Sequence, residues 1–183
     1  MEVFRLIHRK QHGQFDEYQD EAVYGANDGI ITTFAVVSGA AGATLGGDTV
    51  IILGIANLIA DGFSMGASSY LAIRTKEDVR KINGWAMSRR TGLKAVQRSL
   101  VTFLAFVVAG AVPLTPFVIG IGDGKEFLTS AYGAAATFFI VGGARTVVTK
   151  KGFFVSGLEM LGIGGIAAGL AYSIGFLVQA VVA

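Results

Sequence analysis

Five long apolar stretches constrain this chain more than any other feature of its sequence. A helix needs about 20 apolar residues to cross the hydrocarbon core of a bilayer. The stretches of sufficient length are residues 22–45, 49–73, 99–121, 127–149 and 153–183. Their apolar runs are continuous and lack the alternation of a barrel strand. Only 15% of the 183 residues are charged and the mean hydropathy is +0.60, so the sequence predicts an all-α polytopic membrane protein with five transmembrane helices.

The distribution of Lys and Arg predicts how these helices are oriented. Fourteen of the 15 basic residues lie in residues 1–21, in the connection 74–98, or at the end of the fourth span and the turn after it. Lys125 alone lies on the opposite side. By the positive-inside rule the N-terminus is cytosolic, and five spans then place the C-terminus outside. We therefore divide the chain into a cytosolic N-terminal segment, 1–21, and a five-helix transmembrane domain, 22–183.

Composition excludes several classes of function. The chain has no Cys, which excludes disulfides, Cys-based zinc sites and thiol catalysis. The net charge of +2 is too small to indicate a nucleic-acid partner. No His or Ser/His arrangement lies inside a span, so we expect no enzyme. The polar, acidic start of the chain does not resemble a cleavable signal peptide, and we expect the first span itself to direct insertion.

Three carboxylates lie inside the predicted spans, Asp28, Asp61 and Glu159, where each costs about 2.5–3.5 kcal/mol on insertion scales. At a rise of 1.5 Å per residue, Asp28 is about 9 Å and Met65 about 12 Å from the cytosolic ends of their spans. The two side chains therefore share one level, and Asp61 lies one turn deeper. No intramembrane Lys pairs with these acids, so a mobile metal cation or a proton is the expected counter-charge.

The donor atoms narrow the choice of ion. A carboxylate oxygen beside a thioether sulfur favours a borderline transition ion such as Fe²⁺, with Mn²⁺, Co²⁺ and Zn²⁺ as competitors. Because a helix has 3.6 residues per turn, Asp61 and Met65 share one face of the second span with further polar residues. We expect the pathway to be lined by Asn27, Thr32, Asn57, Ser64 and Ser68. Hydrogen bonding between helices is the alternative role for the neutral members of this set.

Acidic residues also precede the first span at helical spacing, namely Asp16, Glu17, Asp20 and Glu21. They would surround a cytosolic entrance if the first helix extends beyond the membrane, and the alternative is a solvated acidic helix start. His8 and His12 are four residues apart, but we expect them to lie in a disordered tail. Glu159 would either relay protons or pair with Arg145 or Lys150, and the pairing costs less energy.

Two segments resemble the vacuolar iron transporter family. Residues 24–34 read YGANDGIITTF and residues 60–71 read ADGFSMGASSYL, similar to the G-x-x-D-G and A-D-x-x-S-M-G signatures of that family's first two spans. A looser likeness continues to SGLEM at residues 156–160. The resemblance implies a five-helix homodimer that exports Fe²⁺ from the cytosol in exchange for protons. It implies an ion path on the two-fold axis between spans one and two, with Asp28 and Met65 as the ion site.

The chain departs from that family in one respect. Full-length members carry a Glu-rich cytosolic domain between spans two and three, whereas the connection 74–98 has only Glu77 and Asp78 as acids. The sequence therefore looks like a shorter branch, to which capture of iron by a Glu cluster does not carry over. The expected partners are a second copy, membrane lipids, divalent metal ions and protons, with no permanently bound cofactor. We assign the packing of the dimer to Gly25, Gly29 and Gly39, because small residues let helices approach closely.

Two other functions remain open on the sequence. One is a non-transporting membrane scaffold or regulator that uses the glycine-rich helices for association. The other is a proton-coupled exporter of organic cations built on Glu159 or Asp61, although the 13 Phe are not concentrated on the polar faces. The simplest location is a prokaryotic inner membrane, or a vacuolar-type membrane in a eukaryote.

Overall fold

The computed structural model describes residues 2–84, 91–121, 124–146 and 152–182, which form helices joined by short turns. Within these ranges side chains are described from residue 18 onward, apart from Thr91. The helices are α1 (Glu2–Gly42), α2 (Gly47–Ile82), α3 (Thr91–Ala111), α4 (Thr115–Ile119), α5 (Glu126–Ala144) and α6 (Phe153–Val182), with a 3-10 turn at Val112–Leu114. The predicted all-α class is confirmed.

Four segments of the described chain are long and apolar enough to cross a membrane. They are Gly47–Ile82, Gly92–Ile119, Glu126–Ala144 and Phe153–Val182, which correspond to the predicted spans two to five. Helix α1, the predicted first span, is not among them, since its apolar half also carries Asn27 and Asp28. The structure therefore supports an integral membrane protein with four candidate spans, and the fifth span remains a prediction.

Helix α1 is continuous from Glu2 to Gly42, so no break marks the predicted boundary between residues 21 and 22. His8 and His12 lie within this helix, which corrects the prediction of a disordered tail. Their side chains lie outside the described residues, as do those of Asp16 and Glu17.

The second and third predicted spans continue as helix beyond their predicted ends. Helix α2 runs on to Ile82 and α3 begins at Thr91, so much of the connection 74–98 is helical. Helix α2 stops where Gly84 adopts a φ of +70°, a left-handed conformation that glycine reaches at no steric cost.

Two prolines interrupt the third predicted span near its outer end. Pro113 lies in the 3-10 turn and Pro116 in the first turn of α4, because proline lacks the N–H that continues an α-helix. The interruption leaves carbonyl groups that need other partners. The buried Ser130 of α5 donates a hydrogen bond to the Pro113 carbonyl at 2.7 Å, which satisfies one of them inside the protein.

Glycines bring α1 into close contact with α3 and α6. A Cβ at Gly25 would meet the backbone of Thr102, and a Cβ at Gly29 would meet the backbone of Phe106. Gly39 faces the carbonyl oxygen of Ala171 in α6, 3.4 Å from the Cβ position. These three glycines therefore pack against other helices of the same chain, and their role in a dimer contact stays a prediction.

The core surrounds α1, which contacts α2, α3, α5 and α6. The Phe34 ring of α1 stacks on Phe127 with centroids 6.5 Å apart and meets Phe138 edge-on at 6.1 Å. By contrast, α2 packs on α3 largely through side chains, with Gly62 against the rings of Phe103 and Phe106. The face of α1 turned towards α2 is left free to form one wall of a groove.

Candidate functional site

A groove of about 1010 Å³ opens between α1 and α2. It contains all three predicted ion ligands, Asp28 from α1 and Asp61 and Met65 from α2. The other predicted site residues in its lining are Asn27, Ser64, Ser68, Asp20 and Glu21. Residues that are distant in the sequence therefore meet on facing helix walls, as the common level of Asp28 and Met65 predicts.

Two predicted lining residues are not part of the described groove lining. The Thr32 hydroxyl donates to the backbone carbonyl of Asp28, at 2.9 Å, in the preceding turn of α1. The Nδ2 atom of Asn57 is buried and finds no hydrogen-bond partner within the described part of the chain. Asn27 does line the groove, and its buried Oδ1 likewise has no partner there.

The two groove carboxylates act on each other. Asp28 is half-buried, and the Asp61 carboxylate lies near enough to repel its negative charge. Asp61 is exposed, whereas Met65 is partly buried and packs against the core. A cation or a proton between two such carboxylates removes the repulsion and is therefore favoured.

The described side chains of one copy do not form a closed coordination shell. Among them, no group of three or more His, Asp or Glu is placed to hold a metal ion. Asp28, Asp61 and Met65 instead line an open groove. Two carboxylates and a thioether in such a groove can contribute ligands to a site that other groups complete.

Glu21, a predicted entrance carboxylate, lines the groove and is held by side chains of two neighbouring helices. Its Oε1 accepts hydrogen bonds from Nη2 and Nε of Arg98, at 2.7 and 3.2 Å. Its Oε2 accepts from the Thr102 hydroxyl at 2.7 Å and the Ser69 hydroxyl at 3.2 Å. The side chain is 14% exposed, so Glu21 belongs to an ion-pair network, while the neighbouring Asp20 is exposed at the groove.

Basic side chains that the positive-inside rule counts as cytosolic line the groove as well. They are Lys76 of α2, Arg98 of α3 and Arg145 at the end of α5. Arg98 and Thr102 are one helical turn apart on α3, a spacing that puts both on one face. That spacing does not by itself identify Glu21, far away in the sequence, as their common partner.

The acids of the α2–α3 connection are paired along their own helix. Arg74 Nη1 lies 3.0 Å from the buried Glu77 carboxylate, and Lys81 Nζ lies 3.0 Å from Asp78. The hydrogen bond and the positive charge of Lys81 lower the pKa of the Asp78 carboxyl. Each of these two acids therefore has a cationic partner on its own helix.

Glu159 lies apart from the groove. Its side chain is exposed on α6 and is not among the described lining residues. Arg145, one predicted partner, lines the groove, and Lys150, the other, lies outside the described residues. A role of Glu159 in proton transfer stays a prediction.

The apolar helices and the acid-lined groove between α1 and α2 define a membrane protein with a candidate cation site. A model of the VIT family matches residues 20–84 and 82–176. The chain therefore belongs to the VIT family, as the motifs around Asp28 and Met65 indicate.

Similar proteins cover almost the whole chain at low identity. A vacuolar iron transporter of Toxoplasma gondii is 26% identical, over 96% of this chain and 79% of that protein. One from Plasmodium berghei is also 26% identical, over 94% of this chain and 86% of that protein. Vacuolar iron transporter 1 of Eucalyptus grandis is 24% identical, over 94% of this chain and 91% of that protein.

The alignments also show how this chain differs in length. The Toxoplasma alignment extends over 239 positions, against 183 residues in this chain, so at least 56 of those positions have no counterpart here. The family match divides at residues 82–84, where α2 ends. This division coincides with the short connection that the sequence analysis singled out.

Proposed function

We propose that this protein is a proton-coupled antiporter that exports Fe²⁺ from the cytosol, with Mn²⁺, Co²⁺ and Zn²⁺ as competing substrates. The observation that carries the proposal is the presence of Asp28, Asp61 and Met65 in one groove between α1 and α2. Membership of the VIT family and the names of the relatives, vacuolar iron transporters, support metal-ion transport. The proposal includes α1 as the fifth span and the N-terminus in the cytosol.

The donor set favours a transition ion over an organic cation. Carboxylate oxygen combined with thioether sulfur suits Fe²⁺ and similar ions better than Mg²⁺ or Ca²⁺. An organic cation is usually bound by aromatic faces, and Tyr24 is the single aromatic side chain among the described lining residues. The groove therefore supports a metal ion as the substrate.

A second copy of the chain would complete the ion path. In a symmetric dimer the same surface of both copies meets across the axis, so each ligand of the groove would be present twice. Asp61 is exposed on a helix that is apolar enough to span a membrane, and lipid around such a charge is costly. Pairing the two grooves across the axis would shield Asp61 from lipid and raise the number of ligands.

Proton coupling follows from competition for the carboxylates. Ionised Asp28 and Asp61 bind a metal cation, and their protonated forms release it, because metal ligands must be deprotonated. Fe²⁺ entering from the cytosol past Asp20 would bind while the acids are ionised. Protons from the outer side would then displace it, so an acidic exterior would drive export.

The proposed site predicts the effect of two substitutions on Fe²⁺ uptake into proteoliposomes. Asp28→Ala and Met65→Ala should each abolish most of the uptake, because each removes a ligand. Asp78→Asn is the matched control for the acid, since Asp78 pairs with Lys81 outside the groove. Met160→Leu is the control for the thioether, since Met160 is buried in the core and this swap conserves volume. Wild-type flux in both groove variants would exclude the site.

The same vesicles test coupling and the scaffold alternative. An imposed gradient with an acidic interior should accelerate Fe²⁺ uptake by the wild-type protein, and collapsing the gradient should slow it. Asp28→Asn should remove this response. An uptake rate that does not depend on the pH gradient would exclude proton antiport. Absence of flux for every divalent ion in a panel would favour a non-transporting scaffold.

A further inference from the structure

The Glu21 network joins three helices at one end of the groove. Glu21 belongs to α1, Arg98 and Thr102 to α3, and Ser69 to α2. Both charged side chains are mostly buried, with 14% of Glu21 and 24% of Arg98 exposed. Hydrogen bonds to a charged acceptor are stronger than neutral ones, so this network can fix the distances between the helices that it connects.

Helices α1 and α3 are held together without this network. One turn beyond Glu21, Gly25 lies directly against the backbone of Thr102, and Gly29 lies against that of Phe106. On the α3 side, a Cβ at Gly110 would approach the carbonyl oxygen of Gly29 to 2.7 Å. Backbone contacts of this kind leave little room for the two helices to move relative to each other.

The relation between α1 and α2 is different because the groove separates them over several turns. Helix α2 is held from the α3 side, where the Cβ position of Gly66 lies 3.0 Å from the Ser99 carbonyl oxygen. Towards α1 it reaches across the mouth of the groove with the Ser69 hydroxyl. Ser69 lies one turn from Met65 on the same face, and Glu21 lies two turns from Asp28 on the same face.

We propose that Glu21 is a positioning residue whose hydrogen bond to Ser69 holds α2 at a fixed distance from α1 and thereby sets the spacing of Asp28 and Met65. Arg98 neutralises the Glu21 carboxylate, so that this acid binds a hydroxyl group of the neighbouring helix in place of a metal ion. The consequence for ion binding rests on the proposed function, whereas the fixed distance does not.

Distances between spin labels test the positioning directly. The chain contains no Cys, so Gln19→Cys on α1 can be combined with Thr75→Cys on α2 or with Val96→Cys on α3 and labelled without background. Double electron–electron resonance in an excess of unlabelled protein then reports distances within one copy. Ser69→Ala should broaden the 19–75 distance distribution and leave the 19–96 distribution unchanged.

Two further variants control this measurement. Ser69→Thr keeps the hydroxyl and should restore the narrow 19–75 distribution. Ser99→Ala removes a hydroxyl that bonds the Val96 carbonyl of its own helix, at 2.9 Å, and should change neither distribution. An unchanged 19–75 distribution in Ser69→Ala, or equal broadening of both pairs, would overturn the proposal.

Transport kinetics of the same variants separate this proposal from the proposed function. In Ser69→Ala the KM for Fe²⁺ should rise by up to about tenfold, the limit reached if the whole free energy of one hydrogen bond to a charged group is lost from ion binding, while the maximal rate stays within about twofold of wild type. An unchanged KM together with a broadened 19–75 distance would overturn the link to Asp28 and Met65. If the wild-type protein moves no metal ion, the proposed function fails, and the distance measurement still decides the role of Glu21.

Discussion

Each groove residue contributes a different property to the candidate site. Asp28 is half-buried and carries a charge that Asp61 repels, so the pair gains from any cation between its members. Met65 adds a soft sulfur ligand on the opposite wall, which shifts the preference towards transition ions. Glu21 resembles these acids in the sequence, but Arg98 already supplies its counter-charge.

The close contact of α1 with α3 predicts a large effect of one methyl group. Gly29→Ala should destabilise the protein by about 1–3 kcal/mol, the usual cost of overpacking, because the new Cβ would meet the Phe106 backbone. Thermal unfolding in detergent measures the change. The matched control is Gly165→Ala on α6, where no atom lies within 4 Å of the Cβ position.

The control should be neutral or more stable by about 0.5–1 kcal/mol, since alanine favours a helix over glycine. Equal unfolding temperatures for Gly29→Ala and Gly165→Ala would contradict the close α1–α3 contact.

The spacing of residues along a helix predicts the location of some of these side chains but not the partners of others. Asp28 and Met65 could be placed at one level because helical rise fixes depth along a span, and both do line the groove. The Glu21 network could not be found this way, because Arg98 and Thr102 lie 77 and 81 residues away along the chain. The intramolecular packing of Gly25 and Gly29 was missed for the same reason, since a small-residue spacing does not identify the helix that packs on it.

At the scale of elements, the break between α3 and α4 is the feature with the clearest chemical requirement. Pro116 lacks the N–H that could reach the Pro113 carbonyl three residues earlier, and the Ser130 hydroxyl of α5 donates to that carbonyl instead. This bond fixes α5 against the turn at Val112–Leu114. The break is therefore supported by a neighbouring helix, as breaks within a membrane require.

Removing that support should be costly. Ser130→Ala should lower stability by about 1–3 kcal/mol, the cost of leaving a buried acceptor without a partner, and thermal unfolding again measures it. Ser173→Ala is the control, because its exposed hydroxyl bonds the Gly169 carbonyl of its own helix at 2.8 Å. If Ser173→Ala lowers the stability as much as Ser130→Ala does, a specific role of the Ser130 hydrogen bond is excluded.

The existence of the apolar helices was more predictable than their ends. Apolar length identified spans two to five, which the structure confirms as candidate membrane helices. Helix α2 continues to Ile82, beyond the predicted end of the span, because hydropathy marks where a membrane segment ends and Gly84 marks where the helix ends. Helix α1 was predicted as the first span, but Asn27 and Asp28 lower its mean hydropathy. It is therefore not among the candidate membrane helices of the described chain.

At the scale of the whole molecule, large apolar surfaces remain exposed. In the most apolar part of α6, only 6% is buried against the rest of the described chain. Exposed side chains such as Leu170 and Phe176, 62% and 60% accessible, continue along it. An apolar helix exposed on most of its surface is typical of contact with lipid or with a second copy.

The proposed topology predicts which positions of the chain lie on the same side of the membrane. Because the chain has no Cys, single substitutions at Arg5, Asp48 and Asn83 can be labelled in intact vesicles with a membrane-impermeant maleimide. Five spans place Arg5 and Asn83 on the same side and Asp48 on the other. Labelling of Arg5→Cys and Asp48→Cys from the same side would show that α1 does not cross the membrane.

The most direct test of the central claim is a structure of the protein with Co²⁺ or Fe²⁺ bound, read by anomalous scattering. Our account predicts an anomalous peak on the axis between two copies, within bonding distance of an Asp28 oxygen and a Met65 sulfur. It also predicts that Met65→Leu weakens this peak. An actively transporting protein whose only metal peak lies away from both side chains, or whose two grooves face lipid, would contradict the account.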